Sequence, residues 1–246
     1  MTRRCFACQV AILGALGALA SGCIPQAATT QGQSINSLYT VALAMSAVVA
    51  ALVWGLITWS VIRYRRGKRA SDELPPQTSG SQVLEIIWTA GPLIAIVILF
   101  TATLLTLNVV NAAPQQGAVQ LNVEAFRWGW RMTYPNDGVS VEGVLAPGPQ
   151  AVLPVGREVQ INLTSADVIH SFFVPQFLYK KDAIPGHPNS FTITIAEPGT
   201  YAGQCAEFCG VFHSQMPFTI RAVSDTDYRA WLSSERAAGS TPGATP

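Results

Sequence analysis

Between Leu38 and Ile62, and again between Ile86 and Val110, the chain runs for twenty-five residues without one charged side chain. As a helix each run would be roughly 37 Å long, more than the roughly 30 Å hydrocarbon layer of a bilayer. A soluble domain would have to bury two such helices on every side. Only 12% of the 246 residues are charged and 49% are hydrophobic, against about 25% charged in ordinary soluble domains. Two membrane spans are therefore the expected reading, and wholesale disorder is excluded. A net charge of +1 provides no general field to attract a polyanion, so no nucleic-acid partner is expected.

The first run ends in Arg63, Arg65, Arg66, Lys68 and Arg69, and clustered positive charge beside a span marks its cytoplasmic side. After a polar linker the second run returns, interrupted only by Pro92 and hydroxyl residues, which membrane helices tolerate. Residues 36–110 are thus expected to form a two-helix transmembrane hairpin with a basic cytoplasmic loop. Everything from residue 111 onward then lies outside the cytoplasm of a bacterial cell membrane. Residues 1–23 have the layout of a signal peptide: Arg3 and Arg4, an apolar run from Val10 to Ala20, then Ser21 and Gly22 before Cys23. That run is too short to span a bilayer. Leu19 to Cys23 resembles a bacterial lipobox, with Ala20 where Leu is preferred, which makes Cys23 a candidate for lipidation. The alternative is a chance Cys beside an ordinary cleavage site; either way Cys5 and Cys8 would leave with the leader.

From residue 111 the pattern changes to short alternating apolar runs separated by Pro and Gly, which reads as β structure. Strands are expected at Val119–Phe126, Trp130–Tyr134, Gln150–Pro154, Glu158–Thr164, Phe191–Ile195, Gly199–Gly203 and Pro217–Ala222. Turn signals such as Asn136-Asp137-Gly138 lie between them. Many short strands at close spacing suggest a sandwich or Greek-key barrel over 111–224. A terminal helix capped by Asp225 is expected next, with a frayed tail closing 225–246. With eight basic and eleven acidic residues from 111 onward, this part carries a net charge of −3.

Its only two cysteines fall in one segment, Cys205-x-x-x-Cys209-x-x-x-His213-x-x-Met216. Two thiolates, an imidazole and a thioether form a soft donor set that selects copper or zinc over hard cations. Gly203 and Gly210 allow a tight loop, Phe208 and Phe212 are expected to wall the site off from water, and His170 could close it from a distant strand. A Cys205–Cys209 disulfide would leave His170, His213 and Met216 unexplained. Structural zinc has no need of Met. A mononuclear blue-copper site uses two His, one Cys and a weak axial Met, which leaves one Cys over. That spare thiolate is informative, because two sulfurs can bridge two copper ions.

At this point the sequence resembles a known family, subunit II of the haem-copper cytochrome c oxidases with its CuA centre. The resemblance covers nearly the whole mature chain. It rests on Glu85-Ile86-Ile87-Trp88-Thr89, Phe126-Arg127-Trp128-Gly129-Trp130, Asp167 through Phe172, Lys181-Asp182-Ala183-Ile184-Pro185-Gly186, and Gly203 through Pro217. It implies a transmembrane α-helical hairpin followed by an all-β cupredoxin-like Greek-key domain. It implies that His170, Cys205, Cys209, His213 and Met216 ligate a dinuclear copper CuA centre through side chains and Glu207 through its backbone carbonyl. The Glu207 carboxylate would also face a magnesium or manganese ion shared with subunit I.

The resemblance further implies that Trp128 is the point of electron entry from cytochrome c and that Glu85 stands at the entrance of a proton path into subunit I. Asp137, Glu142 and Asp167 are candidates for an acidic face that meets a basic cytochrome c. The implied whole is an electron-transfer subunit of an aa3-like oxidase of the respiratory chain, partnered by subunits I and III. Oxygen reduction and its coupling to proton pumping would be centred in subunit I, so no catalytic residue is expected in this chain. A quinol-oxidase subunit II would lack the copper ligands, and a copper-delivery protein would have no use for the paired spans or the Glu85 segment. No Cys-x-x-Cys-His follows residue 111, so no fused c-type haem is expected.

Overall fold

A computed structural model describes residues 25–65, 77 and 79–239. The expected leader over 1–23 with Cys23, the basic residues Arg66, Lys68 and Arg69, and the tail from 240 lie outside the described residues. Two long helices come first, α1 (Thr30–Tyr64) and α2 (Gln82–Val110). Both extend past the uncharged runs because flanking polar residues continue the backbone ladder at little cost in helix propensity. Residues 37–108 form one compact unit, and the remaining described residues form another.

In the first unit, large apolar side chains such as Val48, Trp54, Ile96, Phe100 and Leu105 are exposed along both helices. A soluble amphipathic helix would hide one such face; these two are long and apolar enough to cross a membrane. Three hydroxyls within α2 are satisfied locally. The hydroxyls of Thr101, Thr103 and Thr106 donate to the carbonyls of Val97, Leu99 and Ala102, four residues earlier, as a water-free environment requires.

The second unit is a sandwich of two five-stranded sheets. One has the order β3-β2-β1-β5-β8 and the other β4-β10-β9-β6-β7. The strands are β1 (Val119–Phe126), β2 (Gly129–Tyr134), β3 (Val139–Val144), β4 (Gln150–Pro154), β5 (Glu158–Ser165), β6 (His170–Val174), β7 (Tyr179–Ala183), β8 (Asn189–Thr194), β9 (Gly199–Cys205) and β10 (Pro217–Val223). β1 runs parallel to β5 and β4 parallel to β10, while the other pairs are antiparallel. The chain crosses between sheets from β3 to β4 and back to β5, then at β5–β6, β7–β8 and β8–β9. Period-two alternation sends Val119, Leu121, Val123 and Ala125 of β1, Val159, Ile161 and Leu163 of β5, and Phe218, Ile220 and Ala222 of β10 into one core. Each large aliphatic or aromatic residue buried there contributes about 1.5–3 kcal/mol.

β3, β6 and β7 were not expected from the alternation. β3 carries Ser140, Glu142 and Gly143 at a sheet edge, and β7 reads Tyr-Lys-Lys-Asp-Ala at the edge of the other sheet. Edge strands with charged side chains resist further pairing but hide the apolar signal. The terminal helix α3 (Asp225–Gly239) starts one residue away from the expected cap. Ser224 Oγ accepts from the Asp227 N–H at 3.1 Å, whereas Asp225 pairs with Arg157 and Arg229, each at 2.7 Å. Tyr228 and Leu232 of α3 are buried, and Arg236 clasps Asp137 through its carboxylate and carbonyl.

Tyr134 ties this end together. Its fully buried hydroxyl donates to the Val152 carbonyl at 2.8 Å and accepts from the Val152 N–H at 2.9 Å. Burial, only partly offset by those bonds, pushes its ionisation far above the ordinary tyrosine range. Tyr134→Phe leaves a backbone donor and acceptor without partners. Denaturant unfolding of the full chain in detergent is expected to register a loss of about 2–4 kcal/mol.

The segment before α1 belongs to the sandwich, which the sequence reading did not anticipate. Ala28 N–H donates to the Gln176 carbonyl at 2.8 Å, and Ala196 N–H donates to the Ala28 carbonyl at 2.9 Å. Thr29, fully buried, forms a bridge with Ile195, and its Oγ1 accepts from the Gly32 N–H at 2.9 Å as the cap of α1. Gln31 Oε1 accepts from the Thr194 N–H at 3.0 Å. Backbone pairing of Ala28 and Thr29, together with the Gln31 side chain, ties the start of α1 to the β domain.

Candidate metal centre

The loop between β9 and β10 is closed by the Cys205 N–H donating to the Met216 carbonyl at 3.1 Å. Cys205 ends β9, Cys209 follows in the loop, His213 opens a short 3-10 turn (His213–Gln215), and Met216 directly precedes β10. Inside the loop His213 N–H donates to Gly210 O and Gln215 N–H to Phe212 O, turns that bring Cys209, His213 and Met216 to one side. His170 arrives from a distant part of the chain. It is the first residue of β6, which pairs with β9 through Phe172 opposite Cys205.

The donor atoms converge. His170 Nδ1 lies 3.8 Å from Cys205 Sγ, and His213 Nδ1 lies 3.6 Å from Cys209 Sγ. The two sulfurs are 3.9 Å apart, and Met216 Sδ is 3.9 Å from Cys209 Sγ. The Glu207 carbonyl oxygen is 3.3 Å from Cys205 Sγ. Both thiols are free and buried, so the disulfide alternative does not apply: a bridge needs about 2.05 Å between sulfurs. The donor atoms of His170, Cys205 and Cys209 all lie within 4.8 Å of one another. Each thiol faces an imidazole nitrogen, and the buried, soft donors fit copper.

The electrostatics follow from this packing. Burial raises the Cys205 thiol, but the contacts with His170 and with backbone at Glu207 and Ser171 outweigh it and leave the thiol below its ordinary range. Cys209 moves the other way, raised by burial and by the neighbouring Cys205. A cation placed between them would remove that repulsion. For His170 burial disfavours the charged ring, yet Cys205 and Asp167 more than compensate and raise its basicity.

Aromatic residues floor the site, though not the ones expected. Phe208 is 79% exposed and Phe212 is exposed at 39%, so neither seals the site against water as anticipated. The wall is Trp130, Phe172 and Phe218 of the core. Phe172 and Phe218 stack at 4.5 Å, and the Trp130 indole N–H donates to the Met216 carbonyl at 3.3 Å. These residues face inward from strands, whereas Phe208 and Phe212 sit on a loop whose backbone turns their rings outward.

Trp128, in the β1–β2 turn, is half-buried and donates its indole N–H to the Cys209 carbonyl at 3.3 Å. Its ring meets Phe212 edge-on at 4.9 Å. Gly210, at φ +122, lies beneath the indole, where a Cβ would stand 3.2 Å from the ring; a side chain there would both strain the backbone and displace the indole. The Glu207 carboxylate is held by Lys180 at 2.9 Å. Glu85 is exposed in the first turn of α2, beside Gln82 and Thr89. His187 is a surface residue.

Sequence similarity then decides the family. A family model described as cytochrome c oxidase subunit II, transmembrane domain, matches residues 18–109, and one described as the periplasmic domain matches residues 140–223. The probable cytochrome c oxidase subunit 2 of Streptomyces avermitilis is 34% identical over 91% of this chain and 85% of that protein. The chain belongs to the cytochrome c oxidase subunit II family. Cytochrome c oxidase subunit 2 of Mycobacterium bovis is 29% identical over 90% of this chain and 79% of that one. Among solved structures, the periplasmic domain of the Bradyrhizobium japonicum oxidase subunit II is 31% identical. It covers 51% of this chain and 99% of its own, with a TM-score of 0.48. Family members are subunits of an oxidoreductase complex, the haem-copper oxidase.

Two residues of this subunit II escaped the sequence reading. Trp130 was read as part of an aromatic stretch and as the start of a strand, and its Met216 contact has no local signal. Asp167 was a candidate for an acidic docking face together with Asp137 and Glu142, and its contact with His170 was not read. All three are ion-paired: Asp137 with Arg236, Glu142 with Arg131 at 2.6 Å, and Asp167 with Arg127 at 3.2 Å and with His170. The Asp-x-x-His spacing from 167 to 170 was the available clue.

Proposed function

We propose that this chain is the electron-entry subunit of an aa3-like cytochrome c oxidase. In this reading His170, Cys205, Cys209, His213 and Met216, with the Glu207 carbonyl, hold a dinuclear copper CuA centre. The observation that carries it is the pair of buried free thiols 3.9 Å apart, each within 4 Å of a different imidazole Nδ1. Two bridging sulfurs with one imidazole for each metal suit two copper ions, and a single zinc would leave donors unused.

Such a centre supplies one-electron acceptance from reduced cytochrome c and donation to haem in subunit I, where oxygen is reduced to water with coupled proton pumping. The protein's own contribution is rigidity. His170 and Cys205 at the ends of β6 and β9, and Met216 directly before β10, would hold such a centre with little ligand movement, and the core aromatics would exclude water. Trp128 is the proposed point of electron entry, supported by its bond to the Cys209 carbonyl and its partial exposure. The exposed Phe208 and Val211 of the ligand loop suit partner contact. The Glu207 carboxylate, partly exposed and held by Lys180, is the one group of this set proposed to face a magnesium or manganese ion, with the remaining ligands drawn from subunit I.

Glu85, a carboxylate at the end of a span, is the proposed entrance of a proton path into subunit I. Subunit I, and with it subunit III, would cover the exposed apolar faces of α1 and α2. Cys23 remains the proposed lipidation site if the leader is cleaved before it. The test is a metal count and electron paramagnetic resonance spectrum of the full-length chain in detergent after copper loading. Two coppers per chain and the seven-line hyperfine pattern of one electron shared between two copper nuclei are expected. One copper with four lines, or zinc alone, would overturn the reading.

A further inference from the structure

We infer that Asp167 is a positioning residue that joins the electron-entry turn to the copper ligand His170 and sets the electron affinity of the centre. The inference rests on the dicopper reading above. One carboxylate does both jobs through different oxygens. Oδ1 is 2.9 Å from His170 Nε2 and accepts from the Val168 N–H at 2.6 Å. Oδ2 accepts from the Arg127 backbone N–H at 2.8 Å and from its guanidinium Nε at 3.2 Å. Arg127 is the residue before Trp128.

The consequence for His170 is chemical. An imidazole whose Nε2–H donates to a carboxylate is fixed in the tautomer that leaves the Nδ1 lone pair free, and Nδ1 is the atom that faces Cys205 Sγ. The carboxylate also places a negative charge against the outer edge of the ring, which favours the more oxidised state of a bound metal. The Val168 and Arg127 N–H groups brace the same carboxylate from its two oxygens. On its other side Trp128 is fastened through the Cys209 carbonyl. The entry indole is therefore tied to one ligand by its own N–H and to another by its neighbour's contacts with Asp167.

Asp167 and Arg127 should act on the copper centre with opposite sign. Asp167→Asn removes a negative charge and weakens the bond to His170, so the midpoint potential is expected to rise. Arg127→Gln leaves the Asp167–His170 contact whole but strips a positive charge from the carboxylate, so the potential is expected to fall, and by less, because the guanidinium is half-exposed and screened. With the assembled oxidase and reduced cytochrome c, Asp167→Asn is expected to lower kcat roughly tenfold, a typical cost of losing a partner of a metal ligand, with KM little changed.

The measurements are spectroelectrochemical titration of the copper centre, its paramagnetic resonance spectrum, and steady-state kinetics, on wild type and both variants. A docking role alone would raise KM in Asp167→Asn while leaving the potential and spectrum as in wild type, and that result overturns the inference. If Asp167→Asn fails to retain copper, Arg127→Gln decides alone: an unchanged potential overturns the inference and a lowered one supports it. Absence of a two-copper signal in the wild type would instead remove the dicopper reading, a failure visible before either variant is compared.

Discussion

Cys209→Ser in the full-length chain is expected to abolish the two-copper signal and to reduce electron delivery from cytochrome c by at least about a hundredfold. Cys209 Sγ has more soft neighbours than any other donor of the cluster, with Cys205, His213 and Met216 all within 4 Å. A serine hydroxyl is a hard donor that stays protonated near neutral pH, so it neither bridges two coppers nor offsets their charge. The residue lies in a loop, outside the paired strands, so denaturant unfolding of the copper-free protein should change little, whereas the copper-loaded wild type gains stability that the variant lacks. Copper content, visible thiolate absorption and kcat with reduced cytochrome c check the result. A Cys209→Ser protein that keeps two coppers and its thiolate absorption would remove this residue from the centre.

Gly148→Ala is expected to cost about 3 kcal/mol or more of β-domain stability and to lower copper retention with it. Gly148 lies in the turn between β3 and β4 at φ +74, and a Cβ there would overlap the Pro217 carbonyl oxygen. Backbone, unlike a flexible side chain, cannot step aside without moving β10, and Pro217 immediately follows the ligand Met216. The matched control is Gly138→Ala, also at positive φ (+65) but with nothing within 4 Å of the added Cβ. That change should cost only the conformational penalty of about 1 kcal/mol. Denaturant unfolding of the full chain, with copper content measured in parallel, separates the two. Equal costs would mean that the Pro217 contact does not matter.

Much of the architecture could be read before any coordinates because it depends on local patterns. An uncharged run of twenty-five residues has few ways to be satisfied outside a helix in an apolar medium. Strands β1, β5 and β10 were legible because one face of each is more deeply buried than the other, so the alternation survives in the residues. β7 was invisible because its stability comes from pairing with β6 and its side chains are chosen for an edge. The helix cap was misplaced by one residue because Ser224 and Asp225 are both good caps, and the choice turned on Arg157, sixty-eight positions away, claiming Asp225.

The candidate site divides in the same way. Cys205, Cys209, His213 and Met216 lie within twelve residues, so their chemistry and spacing could be read together as one soft donor set. The outward rings of Phe208 and Phe212 could not, since side-chain direction in a loop follows from backbone turns that spacing does not encode. Nor could the inward seal of Trp130, Phe172 and Phe218, contributed by β2, β6 and β10.

The sequence by itself determined two segments able to span a membrane, a β domain after them, and the donor atoms that make copper the fitting metal. Those properties are sums over neighbouring residues, and they hold whatever the rest of the chain does. Only the tertiary structure decided that His170 meets Cys205, that Asp167 serves the ligand and the Trp128 turn together, and that Ala28 and Thr29 pair with the sandwich. Each of these joins segments far apart in the chain, and the ordering of such segments is offset only by the burial and hydrogen bonding of the packed whole.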